Sequence, residues 1–141
     1  IEANGDIVDK LVVDCKNMPD AVMYIAVAAC VLGVDFEISG IETLRVKESD
    51  RIEALITEMR KCGFEIIHNS QFIIHNLKTT MCDVQYVVQK PLIKTYNDHR
   101  VAMSMAVVGL VREIEIEEPE VVNKSYPGFW EEMRKIKNRE L

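Results

Sequence analysis

The chain has 141 residues, 48% of them hydrophobic and 28% charged, which suits a globular protein with room for one real core. Its net charge of −6 and the lack of a basic run argue against a nucleic-acid surface. A protein of this charge that binds anions does so locally, through a few well-placed cations.

The longest apolar stretch, Ala21 to Val34, is about 14 residues, short of the roughly 20 that cross a bilayer. No signal-peptide pattern is visible. Cys15, Cys30, Cys62 and Cys82 form no CxxC pair and lie at no metal-ligand spacing from a histidine. Scattered single cysteines suit a reducing cytoplasm, so the expected location is cytoplasmic, with no membrane partner and no metal.

In chain order, VVDC (12–15) reads as a short buried strand. MPDAVMYIAVAACVLG follows as a helix that is apolar nearly all round and therefore buried. Pro19 suits its first turn, Asp20 adds an N-terminal carboxylate and Gly33 stops it. DFEISG (35–40) alternates as a strand. A second helix starts near Ser49, with Ile52, Leu55, Ile56 and Met59 on one stripe and Gly63 at its end. FEII (64–67) and FIIHN (72–76), separated by HNSQ, read as a hairpin. LIKT (92–95) is strand-like, and NDHRVAMSMAVVGL predicts a buried helix with Asn97 as N-cap. EIEIEEP (113–119) alternates as a strand. Ser125 to Ile136 predicts a last helix with Phe129, Met133 and Ile136 on its apolar stripe.

The order βαβαββ in the first part is followed by a second start of the same pattern. PDAVMYIAVAACVLGVDFEIS aligns with NDHRVAMSMAVVGLVREIEIE at an offset of 78 residues, which puts Asp20 on Asp98. The expected fold class is α/β, built from repeated βαβαββ units, roughly 11–76 and 82–141. The second unit lacks its final two strands.

Each copy places charge at its helix starts: Asp20 in the first, Asp98, His99 and Arg100 in the second. Lys47, Glu48 and Arg51 precede or open the next helix, and Lys124 does so in the second copy. Helix N-termini favour anions, and added cations strengthen such a pocket, arginine as a bidentate fork and lysine as a point charge. Carboxylates within a cationic pocket do not bind anions, but they move protons; Asp20 and Glu48 are the candidate acid and base. Each residue also has a plainer reading. Asp20, Asp50 and Asp98 serve a helix start, Glu48 and Arg51 form an i,i+3 ion pair, His99 is a satisfied histidine, and Lys124 is solvated. Arg100, in an otherwise apolar helix start, is harder to explain that way.

Taken in order, MPDA, RVKESDRI, NDHRVAM and the lysine before SYPGFW resemble the C-terminal part of the 5-enolpyruvylshikimate-3-phosphate synthase family, from about Val12 to Ile136. The resemblance implies transfer of the enolpyruvyl group of phosphoenolpyruvate to the 5-hydroxyl of shikimate 3-phosphate, with release of phosphate and with no metal or organic cofactor. It also implies two domains, each of three βαβαββ units. By that resemblance Asp20 contacts the shikimate hydroxyl and, with Glu48, moves protons. Lys47 lies near shikimate 3-phosphate, and Arg51, Arg100 and Lys124 hold phosphoenolpyruvate. Asp98 and His99 line the pocket. Thr43 stands where the family commonly has asparagine, which puts one substrate contact in doubt. The sequence starts at Ile1, and the family's N-terminal domain, with its further cations and serines, is absent from it. The chain alone is therefore expected to be inactive and to need that domain as partner.

The sister transferase acting on UDP-N-acetylglucosamine shares the chemistry, although NDHR and RVKES fit the shikimate branch better. A stand-alone anion-binding domain that kept the motifs is the non-enzymatic alternative.

Overall fold

The computed structural model describes residues 10–70, 73–76 and 89–138. From Lys10 to Asn76 the elements run β1 (Lys10–Asp14), α1 (Val22–Leu32), β2 (Asp35–Ser39), α2 (Arg51–Lys61), β3 (Ile66–His68) and β4 (Ile74–Asn76). They are followed by β5 (Leu92–Ile93), α3 (His99–Met105), β6 (Glu115–Ile116) and α4 (Phe129–Lys137). This mixed content is that of an α/β fold. Among the described residues two sheets form, one ordered β1-β2-β4-β3 and one of β5 and β6. β1 and β2 pair in parallel through the α1 crossover, as do β5 and β6 through α3, while β2–β4 and β3–β4 are antiparallel.

α1 has the core position its composition predicts. Val22, Met23, Ala26, Val27, Ala29 and Cys30 are buried, and the helix lies against β2, α2 and α3. Gly33 ends it in the left-handed conformation (φ 69°). Ile52, Leu55, Ile56 and Met59 of α2 are buried as their spacing requires, and Asp50 caps the helix by accepting from the Glu53 N–H at 3.1 Å. A smaller apolar cluster joins Ala102, Met103, Val121 and Val122 to Phe129 and Trp130 of α4.

Several expectations shift. β1 is not a fully buried strand: it lies at the sheet edge, and Val12 is 66% exposed while Leu11 and Val13 face the core. Asn97 is not the N-cap of α3. Its φ of 55° is left-handed, whereas a cap needs extended backbone, and Asp98 supplies it by accepting from the Arg100 N–H at 2.9 Å. α3 ends at Met105 and the chain continues as a 3₁₀ turn (Val108–Leu110), since β-branched Val107 and Val108 and then Gly109 weaken the helix. The last helix starts at Phe129 rather than Ser125, because Pro127 disfavours helical backbone at Tyr126. Its stripe uses Phe129, Trp130 and Met133, while Ile136 is half exposed. Of the expected strand at 72–76, residue 72 lies outside the described residues, as do residues 82–88 at the start of the second expected unit.

Candidate active site

The turns before α1, α2 and α3 meet at one place. Asp20 sits in a 3₁₀ turn (Pro19–Ala21), and three cations converge on its carboxylate. Arg51 Nη1 donates to Oδ1 at 2.9 Å, Lys47 Nζ stands 3.6 Å from the same oxygen, and Arg100 Nη2 is 3.2 Å from Oδ2. Beneath it lies Asp98, fully buried. Arg51 Nε donates to its Oδ2 at 2.8 Å and Nη2 to its Oδ1 at 3.2 Å, and the Ser49 hydroxyl donates to Oδ2 at 2.9 Å. Arg51 thus opens α2 and ties both other turns to it. Glu48 lies at the rim, with Oε2 3.3 Å from His99 Nδ1.

The electrostatics follow from this packing. Partial burial pushes the Asp20 carboxyl up, but Arg100, Lys47 and Arg51 outweigh it and hold the group below the usual carboxylate range. Burial likewise pushes Asp98 up, and hydrogen bonds from Arg51, the Arg100 N–H and Ser49 more than reverse this. Burial lowers the Arg51 guanidinium, yet Asp98 and Asp20 hold it above its ordinary value. At neutral pH both aspartates are therefore ionised, Asp20 half-exposed and Asp98 buried.

The seven residues RVKESDR divide their labour. Arg45 turns outward to Asp50 (2.9 Å), while Lys47 and Arg51 turn inward to Asp20. The i,i+3 pairing of Glu48 with Arg51 does not form; Glu48 precedes the helix and meets His99 instead. The helix starts are also not open anion sites, because Asp50 and Asp98 already accept from their first-turn N–H groups. The positive charge gathered here is that of the side-chain cations Lys47, Arg51 and Arg100. Lys124 belongs to a 3₁₀ stretch (Pro119–Lys124), and its Nζ donates to the Asn97 carbonyl (2.9 Å) and side-chain oxygen (3.1 Å), one residue from Asp98. Thr43 is exposed on the 3₁₀ turn Glu42–Val46, and among the described residues no hydrogen bond ties it to the cluster.

Tyr24 was not among the expected residues. It stands one turn beyond Asp20 and lines the same cavity as Arg100; burial pushes its phenol up, and the nearby Arg100 charge partly offsets this. A polar aromatic four residues after Asp20, in an otherwise apolar helix, was the available signal. Asn17, Met18, Pro19, Asp20, Ala21, Tyr24 and Arg100 line an open cavity of about 450 Å³. A cavity of similar size beside α4 has a mostly apolar lining and no such convergence of charge. Glu48, Asp98 and His99 bring donor atoms within 4.8 Å of one another, the spacing of a metal site. Asp98, however, is already saturated by Arg51, Ser49 and the Arg100 N–H, and the adjoining guanidinium repels a cation, so the trio does not fit a metal.

Fold and site together define an α/β protein with a cationic pocket that also carries ionised carboxylates, the equipment for binding an anion and moving protons beside it. The family described as EPSP synthase (3-phosphoshikimate 1-carboxyvinyltransferase) matches residues 6–133, and the chain belongs to that family. A 3-phosphoshikimate 1-carboxyvinyltransferase of Bacteroides fragilis is 41% identical over 138 residues, 96% of this chain and 32% of the relative. Relatives of the same name from Aquifex aeolicus (42% over 103 residues, 71% of this chain, 22% of the relative) and Pyrococcus abyssi (36% over 131 residues, 89% and 29%) are similar too. The chain thus spans about a third of the length of the curated relatives it matches. No helix among the described residues is long and apolar enough to cross a membrane.

Proposed function

We propose that this chain is the C-terminal part of a cytoplasmic enzyme that transfers the enolpyruvyl group of phosphoenolpyruvate to the 5-hydroxyl of shikimate 3-phosphate. The observation that carries the reading is the convergence of Lys47, Arg51 and Arg100 on the Asp20 carboxylate, in a member of this family. Asp20 stands where a substrate anion would meet the three cations. In this reading Arg51, Arg100 and Lys124 take phosphoenolpyruvate, Lys47 and Asp20 face shikimate 3-phosphate, and Asp98 and His99 line the pocket. The same reading treats β1 to β4 and β5 to α4 as two copies of one βαβαββ unit, part of one domain of a two-domain protein. The N-terminal domain, needed to close on the substrates, is the partner this chain requires, and alone the chain is inactive.

The chemistry needs no cofactor. The 5-hydroxyl oxygen bonds to C2 of phosphoenolpyruvate as C3 gains a proton, and the hydroxyl proton passes to a carboxylate. The tetrahedral adduct then loses a proton from C3 and expels phosphate, whose charge the cations stabilise throughout. Asp20, held ionised, accepts the hydroxyl proton. Glu48, beside His99 at the rim, delivers and recovers the C3 proton.

The test is phosphate release from phosphoenolpyruvate by the complete polypeptide that carries this segment, with shikimate 3-phosphate or UDP-N-acetylglucosamine as acceptor. Release only with shikimate 3-phosphate supports the reading. Release only with the sugar nucleotide moves the protein to the sister activity, and release with neither leaves an anion-binding domain.

A further inference from the structure

We propose that Glu58 and Tyr96 form a positioning couple that fixes the aim of Asp98 and Arg100; the inference rests on the enzymatic reading above. Tyr96 and Asn97 both have φ of 55°. Asparagine tolerates that conformation, but for a bulky residue such as tyrosine it is an outlier that something must hold in place. The pair of left-handed residues turns the chain from β5 into α3 and so sets where Asp98, His99 and Arg100 begin.

Glu58 holds this turn from below. It is fully buried on α2. The Tyr96 hydroxyl donates to its Oε1 at 2.7 Å, while the Lys94 N–H (3.1 Å) and Lys61 Nζ (2.6 Å) donate to Oε2. Lys61 also donates to the Leu92 carbonyl at 3.1 Å, tying β5 to the same helix. Glu58 lies seven residues after Arg51, two turns along one face of α2. One helix therefore grips the segment twice, Arg51 at Asp98 and Glu58 at Lys94 and Tyr96. Lys124 adds a further grip, at Asn97. If Lys124 leaves Asn97 to meet phosphoenolpyruvate, the turn loses that grip at the moment its geometry matters most. The Glu58–Tyr96 contact then keeps a strained backbone from relaxing and swinging Arg100 out of line. Neither residue touches substrate in this account; both act through the turn.

The experiment uses Tyr96→Phe in the complete polypeptide, which removes the hydroxyl and keeps the ring. The KM for phosphoenolpyruvate should rise about tenfold, the scale of one lost hydrogen bond, while that for shikimate 3-phosphate stays within about twofold. Independently of any substrate, hydrogen exchange at the Arg51 Nε–H should quicken about tenfold relative to core amides of α1, because Asp98 is held less firmly. A lower Tm with unchanged KM and unchanged Arg51 exchange would overturn the couple and leave a merely structural contact. If the unaltered polypeptide turns over nothing, the enzymatic reading fails and the exchange measurement alone decides whether Tyr96 positions Asp98. Should Tyr96→Phe fold poorly, Glu58→Gln is read in the same direction, since a neutral amide accepts the tyrosine hydrogen bond more weakly than the carboxylate does.

Discussion

Arg51 and Asp98 meet through two parallel hydrogen bonds, Nε to Oδ2 at 2.8 Å and Nη2 to Oδ1 at 3.2 Å, with side chains only 3% and 0% exposed. Forty-seven residues separate them in sequence, and the pair locks the start of α2 to the start of α3. A bidentate fork of this kind fixes direction as well as distance. Arg51 then has one arm left, Nη1, and presents it to Asp20.

Removing the guanidinium strands a buried carboxylate. Arg51→Met should therefore destabilise the protein by about 3–5 kcal/mol, and denaturant unfolding measures it. A loss below about 1 kcal/mol would mean that the pair is far better solvated than its burial indicates.

Acid should undo the same lock. The folded pKa values of Asp98 and Asp20 lie below the ordinary one, so the stability they add is complete above about pH 4, the unfolded value. It is lost as pH falls through the folded values. Thermal unfolding of the unaltered protein should steepen in its pH dependence below about pH 4, and Asp98→Asn should flatten that slope. Parallel slopes for the two would contradict the assignment.

Asp20 competes with any incoming anion for Lys47, Arg51 and Arg100. Asp20→Asn should tighten binding of inorganic phosphate, measured by calorimetry on the complete polypeptide. It should also lower turnover by about 10²–10⁴, the range for a lost acid–base group. Weaker phosphate binding would show that Asp20 orders the cations rather than occupying them.

Gly40 leaves β2 with φ of 73°, and a Cβ there would meet the Lys16 nitrogen at 2.3 Å and Asp14 Oδ1 at 2.5 Å. Asp14 ends β1 and Lys16 lies in the turn just after it, so the close approach packs the exit of β2 against the exit of β1. Gly40→Ala should cost at least about 1–3 kcal/mol by strain alone, read from the shift in denaturation midpoint. Gly33, with the same backbone sign but open space around it, should suffer only the conformational cost, about 1 kcal/mol.

Local pattern made much of the fold readable. The stripe from Ile52 to Met59 follows from a 3.6-residue period, Asp50 was readable as a helix-start charge, and the length and composition of α1 required burial. The charged turns before α1, α2 and α3 were readable as a set because each stands beside a helix start, whereas Lys124 ends a 3₁₀ stretch well before α4. What pattern does not carry is long-range partnership. Glu48 and Arg51 had the spacing of a helical ion pair, yet extended backbone at Lys47 and Asp50 turns Glu48 toward His99 and leaves Arg51 to Asp98. The N-cap of α3 moved from Asn97 to Asp98 because of a left-handed turn that no local propensity demands of tyrosine. Glu58 reads in sequence as an ordinary helical charge, and only the approach of residues 94 and 96 explains its burial.

In the proposed reaction, carboxylates of this cationic pocket move a proton on and off C3 of phosphoenolpyruvate. The most direct test runs the complete polypeptide with phosphoenolpyruvate and shikimate 3-phosphate in deuterated water and follows the vinylic hydrogens by mass spectrometry. Deuterium should enter C3 as phosphate is released, and Glu48→Gln should suppress both by about 10²–10⁴. Phosphate release with no deuterium at C3, or with undiminished exchange in the Glu48→Gln variant, would contradict the role given to Glu48.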